Sequence, residues 1–187
     1  MKNKKTDISF KLRVVINMMI SPASVLKSAV SSIPWYFSIA ISTAAFCMFF
    51  LQTGLDLYKT GQKGIAFVIL SAITGAAYGL IAIPLLGAII WGILKLVKSQ
   101  KDFKWVVSSF CLSYSGALIY GIMGILFSLL FSWKTSVAFG VTGVLWAIGP
   151  LIVTIRATTD GKNAMSIPIA TIVSSVILLS WSLLGQL

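Results

Sequence analysis

The chain has 187 residues, of which 58% are apolar and 10% are charged, and its mean hydropathy is +0.98. A soluble domain carries about 25% charged residues, so the composition excludes an ordinary soluble protein and indicates an integral membrane protein. The formal net charge of +11 would also suit a nucleic-acid-binding protein. The lysines cluster beside apolar stretches, however, where membrane topology and anionic lipid headgroups explain them, so no nucleic-acid partner is expected.

The N-terminal segment, residues 1–33, precedes the first long apolar stretch. Between Ile8 and Val30 apolar side chains mix with lysine and arginine, which makes this segment too polar to span a membrane. We expect an amphipathic helix at the cytoplasmic membrane interface that ends near Ser21 and Pro22, followed by a second short helix. A signal peptide is the competing interpretation, but the basic region is too long and the apolar core that follows exceeds the usual length of about seven to fifteen residues.

Residues 34–187 are predicted to form one all-α domain of five transmembrane helices. Each apolar stretch reaches the roughly 18 residues that a helix needs to cross a bilayer. Helices are expected because an open sheet would leave backbone groups unpaired in lipid, and the stretches lack the alternation of barrel strands. Asp56, Arg156 and Asp160 are expected at or beyond helix ends. The predicted spans are Pro34 to Leu51, Gly64 to Val97, Phe103 to Phe131, Ser136 to Ile155 and Ala164 to Leu184.

The second stretch could also be two helices broken at Pro84, since a single helix of this length would extend about 51 Å across a hydrocarbon core of about 30 Å. Charge decides between the two, because cytoplasmic loops are rich in lysine and arginine. One helix puts twelve basic residues on the N-terminal side and three opposite, whereas a break gives seven against eight. We therefore predict one tilted or kinked helix, a cytoplasmic N-terminus and an external C-terminus. The cytoplasmic set is Lys2, Lys4, Lys5, Lys11, Arg13, Lys27, Lys95, Lys98, Lys101, Lys104, Arg156 and Lys162, and the external set is Lys59, Lys63 and Lys134.

The chain lacks residues that most membrane enzymes need. It contains no His and no Glu. A metalloprotease needs His or carboxylate metal ligands, and an aspartyl type needs two facing carboxylates inside the bilayer. No catalytic residue, metal site or cofactor is therefore predicted, and Cys47 and Cys111 are expected to act as small apolar side chains. The four acidic residues are Asp7, Asp56, Asp102 and Asp160.

Small and polar residues within the stretches support two hypotheses. Hydroxyl side chains could line a permeation path, although hydrogen bonds between helices are the favoured explanation. Closely spaced glycines would let helices approach each other, either inside the bundle or against another membrane protein. The predicted packing residues are Gly75, Gly79, Gly121, Gly124, Gly140 and Gly143, and the hydroxyl set is Ser71, Thr74, Ser113, Ser115, Thr142, Thr154, Thr171, Ser174 and Ser175.

Three segments resemble the Yip1 family of five-span membrane proteins, especially its short bacterial members. In "MMISPASVLKSAVSSIPWYF", Pro22 and Pro34 flank a short helix. In "IIWGILKLVKSQKDFKWVVSSFCLSYSG", a long second span ends in lysines before Phe103 begins the third. The segment "FGVTGVLWAIGPLIVTIRATTDGKNAM" resembles the family's fourth span and its turn into the last helix. The resemblance covers nearly the whole chain.

The resemblance implies a non-catalytic, multi-pass protein of the cytoplasmic membrane. Such a scaffold or accessory protein would contact anionic lipid headgroups and another membrane protein or a second copy of itself, and would assist a larger assembly such as a transporter. Eukaryotic relatives look like adaptors for small GTPases, but the short segment before the first span does not carry that role over. The alternative is a small channel, transporter or lipid-handling protein.

The charge distribution makes a direct prediction about topology. A cysteine introduced at Lys101 should lie on the cytoplasmic side, so an impermeant thiol reagent added to intact cells should not label it. The same reagent should label this cysteine once the membrane has been permeabilised. Labelling in intact cells would contradict five spans with a cytoplasmic N-terminus.

Overall fold

The computed structural model describes residues 4–96, 99–159 and 163–184, and every regular element within these ranges is a helix. The predicted all-α fold class is therefore confirmed. The chain begins with helix α1 (Lys4–Ile20) and helix α2 (Pro22–Ser28), and a single 3-10 turn (Val30–Ser32) leads into the membrane domain. Five residues used in the charge and span predictions lie outside the described residues. They are Lys2, Val97, Lys98, Asp160 and Lys162.

Five helices are long and apolar enough to cross a membrane, as predicted. We number them spans 1 to 5; short connections make consecutive spans antiparallel. The end at which spans 1, 3 and 5 begin is called the basic end, because α2, Lys101 and Arg156 lie there. The opposite end is called the far end. The spans are Trp35–Lys59, Ile65–Leu96, Phe103–Phe131, Ser136–Thr158 and Ala164–Leu183.

Span 2 is one continuous helix that passes through Pro84. Proline has no backbone N–H and clashes with the preceding turn of an α-helix. The residues Tyr78–Ala82 form a π-helical turn just before Pro84, and the helix continues beyond it to Leu96. Local π-helical adjustment is one way in which membrane helices tolerate proline. The prediction of a single second span is confirmed.

Span 1 lies at the centre of the bundle. Of its most apolar window, 56% is buried, against 28% for spans 2 and 5. The helix of span 1 continues to Lys59, whereas the sequence predicted an end at Leu51. That prediction was wrong because Gln52, Thr53 and Asp56 lower the hydropathy, yet all three side chains are buried and hydrogen-bonded.

Aromatic side chains fill the space between spans 1, 2, 3 and 5. The ring of Phe46 lies 5.2 Å from that of Tyr78 and 5.1 Å from that of Tyr114, measured between centroids. Phe49 stacks on Trp181 at a centroid distance of 5.2 Å. Phe46, Phe49 and Tyr114 are fully buried, and the tilted and edge-on geometries are those that aromatic pairs favour. Ring packing therefore occupies the middle of the bundle.

Spans 1 and 2 approach each other closely at two glycines. A Cβ added at Gly75 would meet the carbonyl group of Phe46, and one added at Gly79 would lie 2.6 Å from the Cα of Thr43. The Ser42 hydroxyl donates a hydrogen bond of 2.9 Å to the carbonyl oxygen of Gly79. Lipid tails are as apolar as the side chains, so close packing and hydrogen bonds of this kind associate helices in a membrane.

Asp56 connects span 1 to the start of span 4. Its carboxylate is 8% exposed and accepts hydrogen bonds from the backbone N–H groups of Thr135, at 2.9 Å, and Ser136, at 2.8 Å. The first turn of a helix has unsatisfied N–H groups and a positive partial charge. The sequence analysis placed Asp56 at or beyond a helix end. It lies in the last turn of span 1 and caps a different helix.

Lys59 contacts the end of span 3 in the same region. Its ammonium donates hydrogen bonds to the carbonyl oxygen and the hydroxyl of Ser128, both at 2.6 Å, and to the carbonyl oxygen of Trp133 at 3.2 Å. Gln52 donates a hydrogen bond of 3.0 Å to the carbonyl oxygen of Gly121 in span 3. Gln52, Asp56 and Lys59 are spaced at i, i+4 and i+7 and share one helix face. We call them the polar stripe of span 1.

The N-terminal helices pack against the membrane domain. Val14, Val15 and Met18 of α1 are buried in one cluster with residues of α2 and spans 1 and 3. Leu118 of span 3 packs against this cluster, and the rise from Trp105 to Leu118 is about 20 Å. The sequence predicted that this helix lies at the membrane interface. Its contacts with span 3 show that α1 runs along the side of the bundle.

Gly79→Ala should destabilise the bundle, because the added methyl group would collide with the backbone of span 1 at Ser42 and Thr43. Overpacking of this kind costs about 1–3 kcal/mol, so the thermal unfolding midpoint of the detergent-solubilised protein should fall. Gly92→Ala is the matched control in the same span, since nothing lies within 4 Å of its added Cβ. Equal effects of the two substitutions would contradict the close approach of spans 1 and 2.

Lys59→Met should also lower the free energy of unfolding, because it removes the donor to Ser128 and Trp133. A hydrogen bond with one charged partner contributes about 1.5–3 kcal/mol. Lys134→Met removes the same charge from an exposed side chain of the neighbouring connection and should change stability by less than about 0.5 kcal/mol. Chemical denaturation in detergent measures both variants, and a stable Lys59→Met protein would argue against this role of the polar stripe.

Candidate functional site

A cavity of about 660 Å³ opens at the basic end, between α2 and the ends of spans 3 and 4. Its lining residues come from α2, from the turn after α2, from the beginning of span 3 and from the last turns of span 4. They are Ala23, Leu26, Lys27, Ser31, Lys101, Trp105, Val153, Arg156 and Ala157. We call this cavity the basic pocket.

Three cationic side chains line the basic pocket, and each comes from a different element. Lys27 is in the last turn of α2, Lys101 precedes span 3, and Arg156 is in the last turn of span 4. All three are exposed, and no carboxylate is among the described residues that line this cavity. Like charges around one cavity repel one another, so an anion bound between them would be stabilised.

The floor of the basic pocket is apolar. Leu26 is buried, and Val153 and Ala157 pack against the cluster formed by the N-terminal helices and spans 1 and 3. Val153 lies almost one helical turn farther into span 4 than Arg156. Cations beside an apolar surface would suit an anionic headgroup and its first acyl carbons, since basic pockets between membrane helices bind anionic headgroups.

The local sequence explains how Lys27 reaches the pocket. Pro22 occupies the first turn of α2, where its missing N–H costs no hydrogen bond. The short helix buries Val25 and Leu26 against the bundle and leaves Lys27 exposed. Lys27 and Arg156 also lie at helix C-termini, where a cation interacts favourably with the helix dipole. That interaction accounts for each residue separately but not for their convergence on one cavity.

Trp105 separates the basic pocket from a second cavity of about 330 Å³. Its ring lies under the Lys101 ammonium, which is 4.7 Å from the ring centroid, a cation–π contact. The second cavity is lined by Asp102 and Lys104 as well as by Ser31 and Trp105. The charges of Asp102 and Lys104 offset each other in the second cavity. Of the two cavities, the basic pocket therefore carries the excess positive charge.

The six predicted packing glycines lie at contacts between helices of this chain. A Cβ at Gly121 would lie 2.8 Å from the Cβ of Met48, and one at Gly143 would lie 2.9 Å from the Cα of Ala117. None of the six lines the basic pocket. Those that approach span 1 are Gly75, Gly79, Gly121, Gly124 and Gly140, and Gly143 approaches span 3.

The predicted hydroxyl residues do not form a single group. Ser71 and Ser115 donate to carbonyl oxygens of their own helices. Ser113 and Thr154 pair across spans 3 and 4 at 3.2 Å. Thr171 is exposed on the outside of span 5. The hydrogen bonds of Ser71 and Ser115 are ordinary within a helix. The pair of Ser113 and Thr154 is ordinary packing between two helices.

The sequence analysis missed the basic pocket as a site, because it explained Lys27, Lys101 and Arg156 by topology and by a general attraction to anionic lipid headgroups. Their positions at the same predicted end of separate helices were the available signal. Within the described residues, no group of three His, Cys, Asp or Glu side chains could hold a metal ion.

Comparison of the chain with protein-family models, curated proteins and solved structures finds no match. The resemblance to the Yip1 family therefore stays a prediction from the three quoted segments.

Proposed function

We propose that this chain is a non-catalytic membrane scaffold or accessory protein of the Yip1 type that binds the headgroup of an anionic lipid in the basic pocket. The observation that carries this proposal is the convergence of Lys27, Lys101 and Arg156 on one cavity with an apolar floor, where the described lining contains no carboxylate. Each basic side chain near an anionic lipid surface contributes about 1 kcal/mol to the attraction. The absence of His and Glu from the chain supports a role without catalysis.

The proposed orientation agrees with this function. A cytoplasmic N-terminus puts the basic end at the inner leaflet of the cytoplasmic membrane, and cytoplasmic leaflets carry a negative surface potential. The exposed Lys27, Lys101 and Arg156 then lie where anionic headgroups are available.

An accessory role also needs a surface for a protein partner. Spans 2 and 5 direct most of their residues away from the bundle. These outer faces carry large exposed apolar side chains, including Ile69, Ile73, Ile172 and Leu179. In a bilayer such faces are covered by lipid or by another membrane protein, so a larger assembly would be contacted here.

A small channel, transporter or lipid-handling protein is the competing function. The aromatic rings that fill the middle of the bundle favour the scaffold, because they occupy the space that a central path would need. Vesicles that contain only the purified protein should therefore leak entrapped solute and exchange lipid between leaflets no faster than empty vesicles. Faster flux would favour the competing function.

The paired substitutions Lys27→Gln and Arg156→Gln should weaken the binding of phosphatidylglycerol to the detergent-solubilised protein. We expect about ten- to thirtyfold weaker binding, because two favourable charge interactions of about 1 kcal/mol each are removed. Native mass spectrometry during a lipid titration measures the bound fraction.

The matched control for this experiment carries Lys63→Gln and Lys134→Gln, which remove the same charge at the far end. This control should bind the lipid like the unmodified protein. Equal losses in the two variants would mean that net charge alone governs binding and would contradict a site in the basic pocket. Thermal unfolding should be nearly unchanged in the pocket variant, because Lys27 and Arg156 are exposed and exposed charges contribute little to stability.

A further inference from the structure

We infer that the basic pocket selects a lipid whose phosphate is terminal, a phosphomonoester such as phosphatidic acid, over lipids with a phosphodiester headgroup. This inference rests on the proposed function, which requires only that the pocket bind an anionic headgroup. It adds the chemical class of that headgroup.

Charge is the first argument. Lys27, Lys101 and Arg156 bring three positive charges to the cavity, and no carboxylate accompanies them among the lining residues that the structure describes. A phosphodiester carries one negative charge, whereas a phosphomonoester carries about 1.5 to 2 at neutral pH. Because the attraction grows with the charge of the ligand, the same three cations stabilise the phosphomonoester more.

Geometry is the second argument. The three cations reach the cavity from α2, from the residues before span 3 and from the end of span 4, so a bound phosphate would be contacted from three separate elements. A terminal phosphate presents three free oxygens, whereas a phosphodiester has only two, since the others are esterified. Charge-assisted hydrogen bonds from ammonium and guanidinium groups are the strong ones, and three donor groups match three oxygens.

The group attached beyond a phosphodiester gives a third argument. An ethanolamine or choline headgroup carries a positive charge next to its phosphate. Lys27 and Arg156 would repel this charge inside the basic pocket. The neighbouring cavity offers little compensation, because Asp102 there is already accompanied by Lys104.

The apolar floor favours a lipid over a free phosphate. The floor is formed by Leu26 of α2 and by Val153 and Ala157 of span 4. Of the two residues on span 4, Val153 lies farther from the basic end. An inorganic phosphate would leave this surface without an apolar partner, whereas the glycerol backbone and first acyl carbons of a lipid would cover it.

The test compares phosphatidic acid with phosphatidylglycerol of the same acyl chains, each titrated against the full chain and measured by native mass spectrometry. We expect about tenfold tighter binding of phosphatidic acid, the effect of one additional charge-assisted hydrogen bond. The Lys27→Gln and Arg156→Gln variant should lose this preference, and the Lys63→Gln and Lys134→Gln variant should keep it. Inorganic phosphate alone should bind far more weakly.

A pH series tests whether the preference follows the charge of the phosphate. The second ionisation of a phosphomonoester falls near pH 6, and the chain has no histidine, the side chain that ordinarily titrates in this range. The charged side chains that face the ligand are Lys27, Lys101 and Arg156, with Asp102 and Lys104 in the adjacent cavity. The preference for phosphatidic acid should therefore shrink as the pH falls from about 7.5 to about 5.5 and the phosphate loses charge.

The outcomes separate this inference from the proposed function. Equal binding of the two lipids, lost in the pocket variant, would overturn the inference and leave the proposed headgroup site intact. Binding of both lipids that ignores the pocket variant would overturn both. Inorganic phosphate that binds as tightly as phosphatidic acid would overturn the assignment to a lipid.

Discussion

The last turn of span 1 holds the connection between spans 3 and 4 through two charged side chains. Asp56 satisfies the N–H groups that begin span 4, and Lys59 satisfies carbonyl groups near the end of span 3. Charged side chains that face the interior of a membrane bundle usually pair with other polar groups. Because both contacts are made by one helix face, spans 3 and 4 are fixed relative to span 1. Their other ends carry Lys101 and Arg156 to the basic pocket.

Span 1 combines this polar stripe with contacts made by glycines of three neighbouring spans. Ser42 bonds to the backbone of span 2 at Gly79, and Gln52 bonds to the backbone of span 3 at Gly121. In lipid the apolar side chains gain nothing from leaving the solvent, so packing and hydrogen bonds determine which faces meet. Gly79 and Gly121 lack side chains, so their carbonyl groups come within hydrogen-bonding distance of Ser42 and Gln52. Close approach and hydrogen bonding therefore occur at the same positions.

Hydropathy and charge predicted the five spans, and they predicted the continuity of span 2 through Pro84. Hydropathy did not predict the end of span 1. It is low at Gln52, Thr53 and Asp56, and a hydropathy value does not register that these side chains form hydrogen bonds inside the bundle. The basic pocket was hidden for a different reason. Its cations come from distant segments, and each one alone fits the bias of lysine and arginine toward cytoplasmic loops. Only the packing of α2 on span 4 brings them together.

The π-helical turn in span 2 keeps two halves of one helix in phase with the bundle. The buried positions Ser71, Gly75, Gly79, Ile83 and Gly87 follow one another in steps of four. Four such steps turn a regular α-helix about 160° away from its starting face, and the wider turn at Tyr78–Ala82 takes up part of this rotation. Deleting one residue there would leave the hydropathy of the span almost unchanged and the span long enough to cross a membrane. It would rotate the half nearer the basic end by about 100° and turn Gly87 away from Phe110.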